Sequence, residues 1–429
     1  MKRNVIVAQS GGPSPVINSS LQGVIEACLD RPDSIDKIYA ARHGVEGILL
    51  EELIDAGAQP REEISLLKGT PCAGVVGTCR YKLKEGQQED FQRIIDVFKA
   101  HNAGYFFYIG GNDSMDTANK VAKLAAEENY DLTAVGVPKT IDNDIGDEEF
   151  TIIDHTPGYG SAARYWAYIV QNVNEESRGM CVSEPVAVLQ AMGRTSGYIP
   201  AAARLADPDR EMPLQLYLAE TGHTLESMAD HVNDELKRSG RCIVVVSEGF
   251  NVGSLGERHD GFGHIEYGAS RNTVAQAVVN YLNDTGLKAR GQATGSVPGV
   301  LQRGTSLYAS RTDIEEAYGV GRHAVEIAFA DGGGYMATIL RYRETEDYQP
   351  YFDKVPLEKV ANSVRHLPKS WVAPNGLDVT DNFIRYARPL IGDGNPDIRI
   401  ENGLQRFSRF EMKMADKKLS DYVPVRFRD

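Results

Sequence analysis

Residues 134–144 read Ala-Val-Gly-Val-Pro-Lys-Thr-Ile-Asp-Asn-Asp, an apolar run that passes directly into a loop of charged and polar side chains. The apolar run is typical of a buried parallel strand, and the polar loop follows at its carboxyl end. In parallel α/β sheets, ligands bind beyond the carboxyl ends of the strands. We therefore expect an α/β fold with a binding site at this loop.

Four further stretches have the same form, an apolar strand followed by a polar or glycine-rich loop. Amphipathic helical stretches alternate with them, as in a parallel α/β sheet. Five polar loops after five such strands predict one shared cleft. The other predicted strands are Val5–Ala8, Tyr105–Ile109, Val186–Leu189 and Ile243–Val246, and the loops that follow them are QSGGPSP, GGNDS, QAMGRTSG and SEGF.

Two of these loops carry paired glycines and are predicted to open helices. Glycines at a helix N-terminus allow close backbone approach and present free N–H groups, which suits phosphate. For Gly11-Gly12 a plain turn is the alternative. Asp113 or Ser114 is placed to cap the second helix. If phosphate binds beside Asp113, a metal ion or a lysine must lie between its carboxylate and the phosphate oxygens. The predicted buried positions of these two helices, and of a third starting at Asp90, are Ile17, Leu21, Val24, Ile25 and Cys28; Met115, Ala118, Val121, Ala122 and Ala125; and Phe91, Ile94, Ile95 and Phe98.

The loop at 138–144 contains the residue types that phosphoryl transfer requires. That reaction needs a base for the attacking hydroxyl, a cation for the donor phosphates and often a carboxylate for Mg²⁺. Asp142, Lys139 and Asp144 could fill these roles, although an Asx-rich solvated turn is the alternative. Arg194 in the fourth loop could bind a phosphate, or could lie in an ordinary surface loop.

The charge balance limits the choice of partner. The formal net charge is −14, so counterion release gives no gain on a polyanion and we expect no nucleic-acid partner. An anionic substrate would require positive charge concentrated at the site.

Cysteine usage and hydropathy indicate a cytoplasmic protein. Five scattered cysteines show no metal-type spacing and no secretory signal precedes them, which favours a reducing compartment with inert or buried thiols. Because no stretch reaches the length of a membrane span, we expect no membrane partner.

The order of the motifs resembles that of phosphofructokinases: GGNDS, PKTIDND, MGRTSG, SEG and then Leu301-Gln302-Arg303-Gly304. The resemblance implies two Rossmann-like lobes with mainly parallel sheets. It places a phosphate-donor lobe at 1–150, completed by part of 300–345, and a sugar-phosphate lobe at 151–299. The Pro-rich remainder, 346–429, is expected to wrap the domains as a C-terminal extension. The resemblance also implies a homo-oligomer, either a dimer or a tetramer.

The resemblance assigns roles to individual residues. Asp142 resembles the base that takes the proton of the sugar 1-hydroxyl, and Lys139 and Arg194 are the other expected catalytic residues. The residues expected to bind the donor phosphates are Gly11, Gly12, Arg80, Gly111, Asp113, Ser114 and Lys139. Those expected to bind the sugar phosphate are Thr140, Asp142, Asp144, Met192, Gly193, Arg194, Glu248 and Arg303. Those expected to bind Mg²⁺ are Asn112, Asp113 and Asp144.

Two positions separate the phosphate donors used within this family. Members that use ATP usually have glycine where this chain has Asp113 and Lys139, whereas members that use pyrophosphate resemble this chain at both. The resemblance therefore implies pyrophosphate-dependent, reversible conversion of fructose 6-phosphate to fructose 1,6-bisphosphate with Mg²⁺. The alternatives are ATP as donor, sedoheptulose 7-phosphate as acceptor, and a non-catalytic subunit that senses sugar phosphates.

The sequence departs from the family pattern at four positions. Asn112 replaces a common aspartate, so metal binding loses one carboxylate. Pro185 aligns with an arginine that often reaches a neighbouring subunit, and Val300 with a usual histidine or tyrosine. Thr294 replaces a second phosphate-binding arginine, unless Arg290 serves instead. The last three departures concern the acceptor pocket and leave the sugar and the subunit arrangement open.

Overall fold

The computed structural model describes residues 2–83, 86–253, 265, 267, 272–345, 347–361 and 363–428. The strands are β1 Arg3–Gln9, β2 Ile35–Ala41, β3 Leu53–Asp55, β4 Ala103–Gly110, β5 Thr133–Pro138, β6 Val186–Ala191, β7 Leu214–Tyr217, β8 Cys242–Ser247, β9 Ala293–Ser296, β10 Tyr335–Arg341, β11 Pro350–Pro356, β12 Ile400–Glu401 and β13 Leu404–Gln405.

The α-helices are α1 Ile17–Leu29, α2 Val45–Leu49, α3 Arg61–Ser65, α4 Gln88–Ala100, α5 Asn112–Glu127, α6 Tyr159–Met180, α7 Tyr198–Ala202, α8 Leu225–Ser239, α9 Val274–Thr285, α10 Leu301–Gly304, α11 Arg311–Ala330, α12 Leu357–Val360 and α13 Asp381–Ala387. Among the described helices, none combines the length and the apolar character that crossing a membrane requires.

The strands form two main sheets, which confirms the predicted α/β fold with mainly parallel sheets. The first sheet has the order β11-β10-β5-β4-β1-β2-β3, and only its two edge pairs, β10–β11 and β2–β3, are antiparallel. The second sheet has the order β7-β8-β6-β9 and is parallel throughout. The five strands predicted from the sequence lie within β1, β4, β5, β6 and β8, so the prediction is confirmed for each of them.

Strand β1 shows why these runs are apolar at every position. Val5 and Val7 pack into the core under α1 and α11, whereas Ile6 and Ala8 pack into the core under α4 and α5. Since both faces of the sheet are covered by helices, alternate residues are buried on opposite sides and no polar face is needed.

Two predicted helix starts are wrong. Helix α1 begins at Ile17 rather than at Gly11-Gly12, because Pro13 and Pro15 disfavour helical backbone in the residues before them. Helix α5 begins at Asn112 with Gly111 as its N-cap residue, and no side chain caps it. The predicted capping by Asp113 or Ser114 therefore fails, since both residues already lie inside the first turn.

The C-terminal region lies along both edges of the first sheet. On one side, β11 pairs with β10 through the full length of both strands. On the other, the backbone N–H of Asp55 donates to the carbonyl of Lys413 at 2.9 Å and that of Ala415 donates to the carbonyl of Leu53 at 2.8 Å. The lobe boundaries given above remain a prediction.

Candidate active site

A cavity of about 340 Å³ lies where the loops of the two sheets face each other. All five predicted polar loops contribute to its wall, so the expectation of one shared cleft is confirmed. Its lining consists of Gly11, Gly12, Pro13, Arg80, Gly111, Asn112, Asp113, Ser114, Lys139, Thr140, Ile141, Asp142, Asp144, Gln190, Met192, Arg194, Glu248, Ile265, Tyr267, Val297, Gly299, Val300, Gln302 and Arg303.

This lining contains every predicted site residue except Gly193. Gly193 has φ 119°, and a Cβ there would lie 2.7 Å from the carbonyl oxygen of Ser196. Glycine therefore suits the turn that precedes Arg194, and the sugar-phosphate contact expected at Gly193 stays a prediction. The roles of the lining residues in binding and catalysis remain predictions at this point.

Three cations converge on the loop after β1. The Nζ atom of Lys139 donates to the carbonyl of Gly12 at 2.6 Å. A Cβ on Gly12 would clash with a guanidinium nitrogen of Arg303 and touch one of Arg80, so a side chain there would displace the end of the Arg303 side chain. Burial, and then the charges of Arg303 and Arg80, lower the pKa of Lys139 to about 7. An anion bound here would relieve this repulsion and is the natural ligand of this end of the cavity.

Three carboxylates, those of Asp142, Asp144 and Glu248, also line the cavity. Burial, and then the neighbouring Asp142, raise the pKa of Asp144 to about 6 and that of Glu248 to about 7. The Oδ2 atom of Asp142 lies 4.0 Å from Nε of Arg194, whose backbone N–H donates to Oε1 of Glu248 at 3.0 Å. The backbone N–H of Asp142 donates to Oγ1 of Thr140 at 3.1 Å. This arrangement places a carboxylate where it could accept a proton from a bound hydroxyl group.

Asp113 has the lysine partner that a carboxylate beside phosphate requires. Its Oδ1 atom lies 2.6 Å from Nζ of Lys82, and both side chains are largely shielded from solvent. Sequence reasoning did not single out Lys82. The available signal is its position two residues after Arg80, because side chains two apart in an extended segment point to the same side.

Gln302 is a second residue that sequence reasoning missed. Its Oε1 atom accepts from the backbone N–H of Met192 at 3.0 Å and from Nε1 of Trp166 at 3.0 Å. It therefore fixes the loop after β6 against the helix that carries Arg303. Its place between Leu301 and Arg303 in the LQRG motif was the signal that could have identified it.

Neither position 294 nor position 290, where a second phosphate-binding arginine was expected, contributes to the acceptor end of the cavity. Thr294 and Arg290 are both absent from the lining formed by the described residues. Thr294 instead donates through Oγ1 to Oε2 of Glu184 at 3.2 Å. Val300 does reach the cavity, where it offers an apolar surface.

The fold and the site together define a two-sheet α/β protein with a cleft for anionic ligands. The phosphofructokinase family model matches residues 4–328. A Halomonas elongata protein named pyrophosphate–fructose 6-phosphate 1-phosphotransferase is 38% identical over 98% of this chain and 99% of its own. A Methylococcus capsulatus protein of the same name is 39% identical over 91% of each chain.

A solved structure extends the likeness to three dimensions. The structure of pyrophosphate-dependent phosphofructokinase from Marinobacter aquaeolei is 36% identical, with a TM-score of 0.87 over 99% of this chain and 100% of that one. The chain belongs to the phosphofructokinase family.

Proposed function

We propose that this chain transfers a phosphoryl group from pyrophosphate to the 1-hydroxyl of fructose 6-phosphate, with Mg²⁺. The products are fructose 1,6-bisphosphate and orthophosphate, and the reaction is freely reversible because both phosphoryl donors have comparable transfer potential. The names of the two relatives reported above support this choice of substrates.

The observation that carries the proposal is the chemistry at the donor end of the cavity. Lys139 is 3% exposed and lies against Gly12, where its ammonium group can neutralise a pyrophosphate oxygen. Asp113 is held by Lys82 at 2.6 Å, and we propose that it fills the space that the α-phosphate and nucleoside of ATP would need. A short inorganic donor fits this end, whereas a nucleotide meets both a steric and an electrostatic obstacle.

In the proposed reaction Asp142 is the general base. Its carboxylate takes the proton of the sugar 1-hydroxyl as the oxygen attacks one phosphorus atom of pyrophosphate. The bridging P–O bond then breaks and orthophosphate leaves. Lys139 and Arg80, which lie beside Gly11 and Gly12, stabilise the charge that develops on the donor oxygens.

Mg²⁺ is part of the proposal, and the lining fits it as an ion shared with the donor. Within the described residues, no three His, Cys, Asp or Glu side chains could hold a metal by themselves, but Mg²⁺ is commonly bound by one or two carboxylates plus substrate phosphates. Asp113 is paired with Lys82, and Asn112 donates to the carbonyl of Ser363. We therefore assign Asp144 as the protein ligand. When bound, Mg²⁺ neutralises charge on the donor oxygens.

The acceptor, compartment and assembly complete the proposal. Met192, Arg194 and Arg303 line the sugar end, and fructose 6-phosphate is the acceptor proposed over sedoheptulose 7-phosphate. We place the enzyme in the cytoplasm as a homo-oligomer. The side chains of Val300 and Leu301, 64% and 60% exposed beside the cavity, support a second copy covering this surface.

Phosphorus NMR of the purified chain with Mg²⁺ tests the proposed function. With pyrophosphate and fructose 6-phosphate, we expect loss of the pyrophosphate signal and equal growth of orthophosphate and sugar 1-phosphate signals. The same sample with sedoheptulose 7-phosphate should react more slowly. Loss of pyrophosphate without sugar, or no reaction with either sugar, would contradict the proposal.

The lowered pKa of Lys139 gives a prediction on pH. Because that pKa is about 7, the free enzyme loses the ammonium charge as the pH rises through 7. We expect kcat/KM for pyrophosphate to fall about tenfold per pH unit well above this point. At saturating pyrophosphate kcat should fall less, since the bound anion raises the pKa of the lysine again. An alkaline fall of equal size and midpoint in both profiles would contradict the assignment to Lys139.

A further inference from the structure

Residues 363–366 of the C-terminal region join loops from both sheets at the cavity. They contact the loops that follow β4, β5 and β6. The contacts are Asn112 Nδ2 to the carbonyl of Ser363 at 2.7 Å, the backbone N–H of Arg365 to the carbonyl of Asp144 at 2.7 Å, Ser196 Oγ to the carbonyl of Arg365 at 3.4 Å, and Tyr198 OH to the carbonyl of His366 at 3.1 Å.

The guanidinium group of Arg365 is the centre of this junction. The residue is 0% exposed, and its donors all reach neutral oxygen atoms. Nε donates to the carbonyl of Asn143 at 3.1 Å, one terminal nitrogen donates to that carbonyl and to Oδ1 of Asn143 at 3.0 and 2.8 Å, and the other donates to the carbonyls of Ile153 and Asp154 at 2.8 and 3.2 Å. Five N–H groups in a rigid fork meet these acceptors, a pattern that the point charge of lysine cannot reproduce.

Asn143 stands between the two carboxylates of the catalytic loop. Its φ is 58°, in the left-handed region that asparagine tolerates better than most residues. Besides the bonds from Arg365, its Oδ1 accepts from the backbone N–H of Thr156 at 3.0 Å and its Nδ2 donates to the hydroxyl of Tyr386 at 2.8 Å. The direction in which Asp142 leaves the loop therefore depends on how firmly Asn143 is fixed.

We propose that Arg365 is a positioning residue for the reaction: it fixes the backbone at Asn143 and so sets where the Asp142 carboxylate meets the acceptor hydroxyl. This inference rests on the proposed function, since it takes Asp142 as the base. A base displaced by about 1 Å costs on the order of 10²-fold in rate. The C-terminal region thus takes part in catalysis, although the sequence predicted only a wrapping role for it.

Arg164 offers a matched control for this inference. It is 3% exposed and also donates to backbone carbonyls of the C-terminal region, those of Ile391, Gly392 and Gly394. Among the described residues that line the cavity, Arg164 does not appear. Arg164→Lys therefore measures the cost of losing a buried arginine fork without disturbing the base.

The test compares Arg365→Lys with Arg164→Lys in the full chain, using whichever donor the unmutated chain turns over. We expect both to lower the melting temperature, but only Arg365→Lys to lower kcat, by roughly 10- to 100-fold, with KM for both substrates within about threefold. Should Arg365→Lys not fold, Asn143→Gly removes the same side-chain acceptor while keeping the left-handed backbone, and the same kcat loss is expected. Equal losses of kcat in Arg365→Lys and Arg164→Lys would overturn the inference. If Arg365→Lys cannot be made, an Asn143→Gly variant with the kcat of the unmutated chain would overturn it.

A double-mutant cycle separates positioning from general loss of structure. Arg365→Lys added to Asp142→Asn should cost less than about twofold, because the group that Arg365 positions is already gone. A further tenfold loss would show that Arg365 acts on something other than Asp142. If the unmutated chain uses ATP alone, the proposed function fails while this cycle, run with ATP, still decides the role of Arg365.

Discussion

Asp142→Asn lowers kcat by about 10²–10⁴-fold, the range that a general base contributes, and leaves KM for both substrates little changed. The asparagine keeps the shape of the side chain and its place beside Arg194, but it cannot take the proton of the sugar hydroxyl. Initial rates at saturating pyrophosphate and fructose 6-phosphate, with KM measured for each, check this expectation. Because both substrates still bind, the loss should appear in kcat.

Asp147→Asn is the matched control for that experiment. Asp147 follows on the same loop and accepts hydrogen bonds from Thr151 and from the backbone of Ile152, but it does not line the cavity. We expect turnover within about twofold of the unmutated chain. Near-normal turnover of Asp142→Asn, or equal losses in both variants, would remove Asp142 from the role of base.

The double variant Asp113→Gly with Lys139→Gly loses pyrophosphate use. We expect kcat/KM for pyrophosphate to fall roughly 10²–10³-fold, as when a preorganised charge-stabilising group is removed. Lys139 no longer neutralises the donor, and Lys82 loses its partner. Space for a larger donor opens at the same time, so the ratio of ATP to pyrophosphate efficiency should rise. Steady-state kinetics with each donor measure both effects.

A second ion pair on helix α5 supplies the control for the double variant. Lys120 Nζ lies 2.7 Å from Asp116 Oδ2, one turn beyond Asp113 and outside the cavity lining. Asp116→Ala with Lys120→Ala removes an Asp–Lys pair from the same helix and should leave both donor efficiencies unchanged. Unchanged pyrophosphate kinetics in the glycine variant would show that Asp113 and Lys139 do not set the choice of donor.

The strands and the cleft could be predicted because their signals are local. Val5 to Ala8 are apolar at every position because helices cover both faces of the sheet, and this produces a continuous run rather than an alternation. The polar loops follow those runs directly in the sequence. Loop residues such as Asp142 and Arg194 could therefore be assigned to one cleft before any distance was known.

The contacts that complete the site could not be predicted because they are long-range. Arg365 lies 222 residues from Asn143, the residue that it holds, and no local pattern links them. The close approach of Arg303 to Gly12 likewise depends on how α10 meets the loop after β1. The start of α1 at Ile17 has a local cause, because Pro13 and Pro15 disfavour helical backbone in the residues before them.

The measurement that tests the central claim most directly is a side-by-side assay of two donors with the unmutated chain. Fructose 1,6-bisphosphate formation is followed with fructose 6-phosphate and Mg²⁺, using pyrophosphate in one sample and ATP in the other. We predict turnover with pyrophosphate and at most a trace with ATP. Turnover with ATP alone, or with neither donor, would contradict the account.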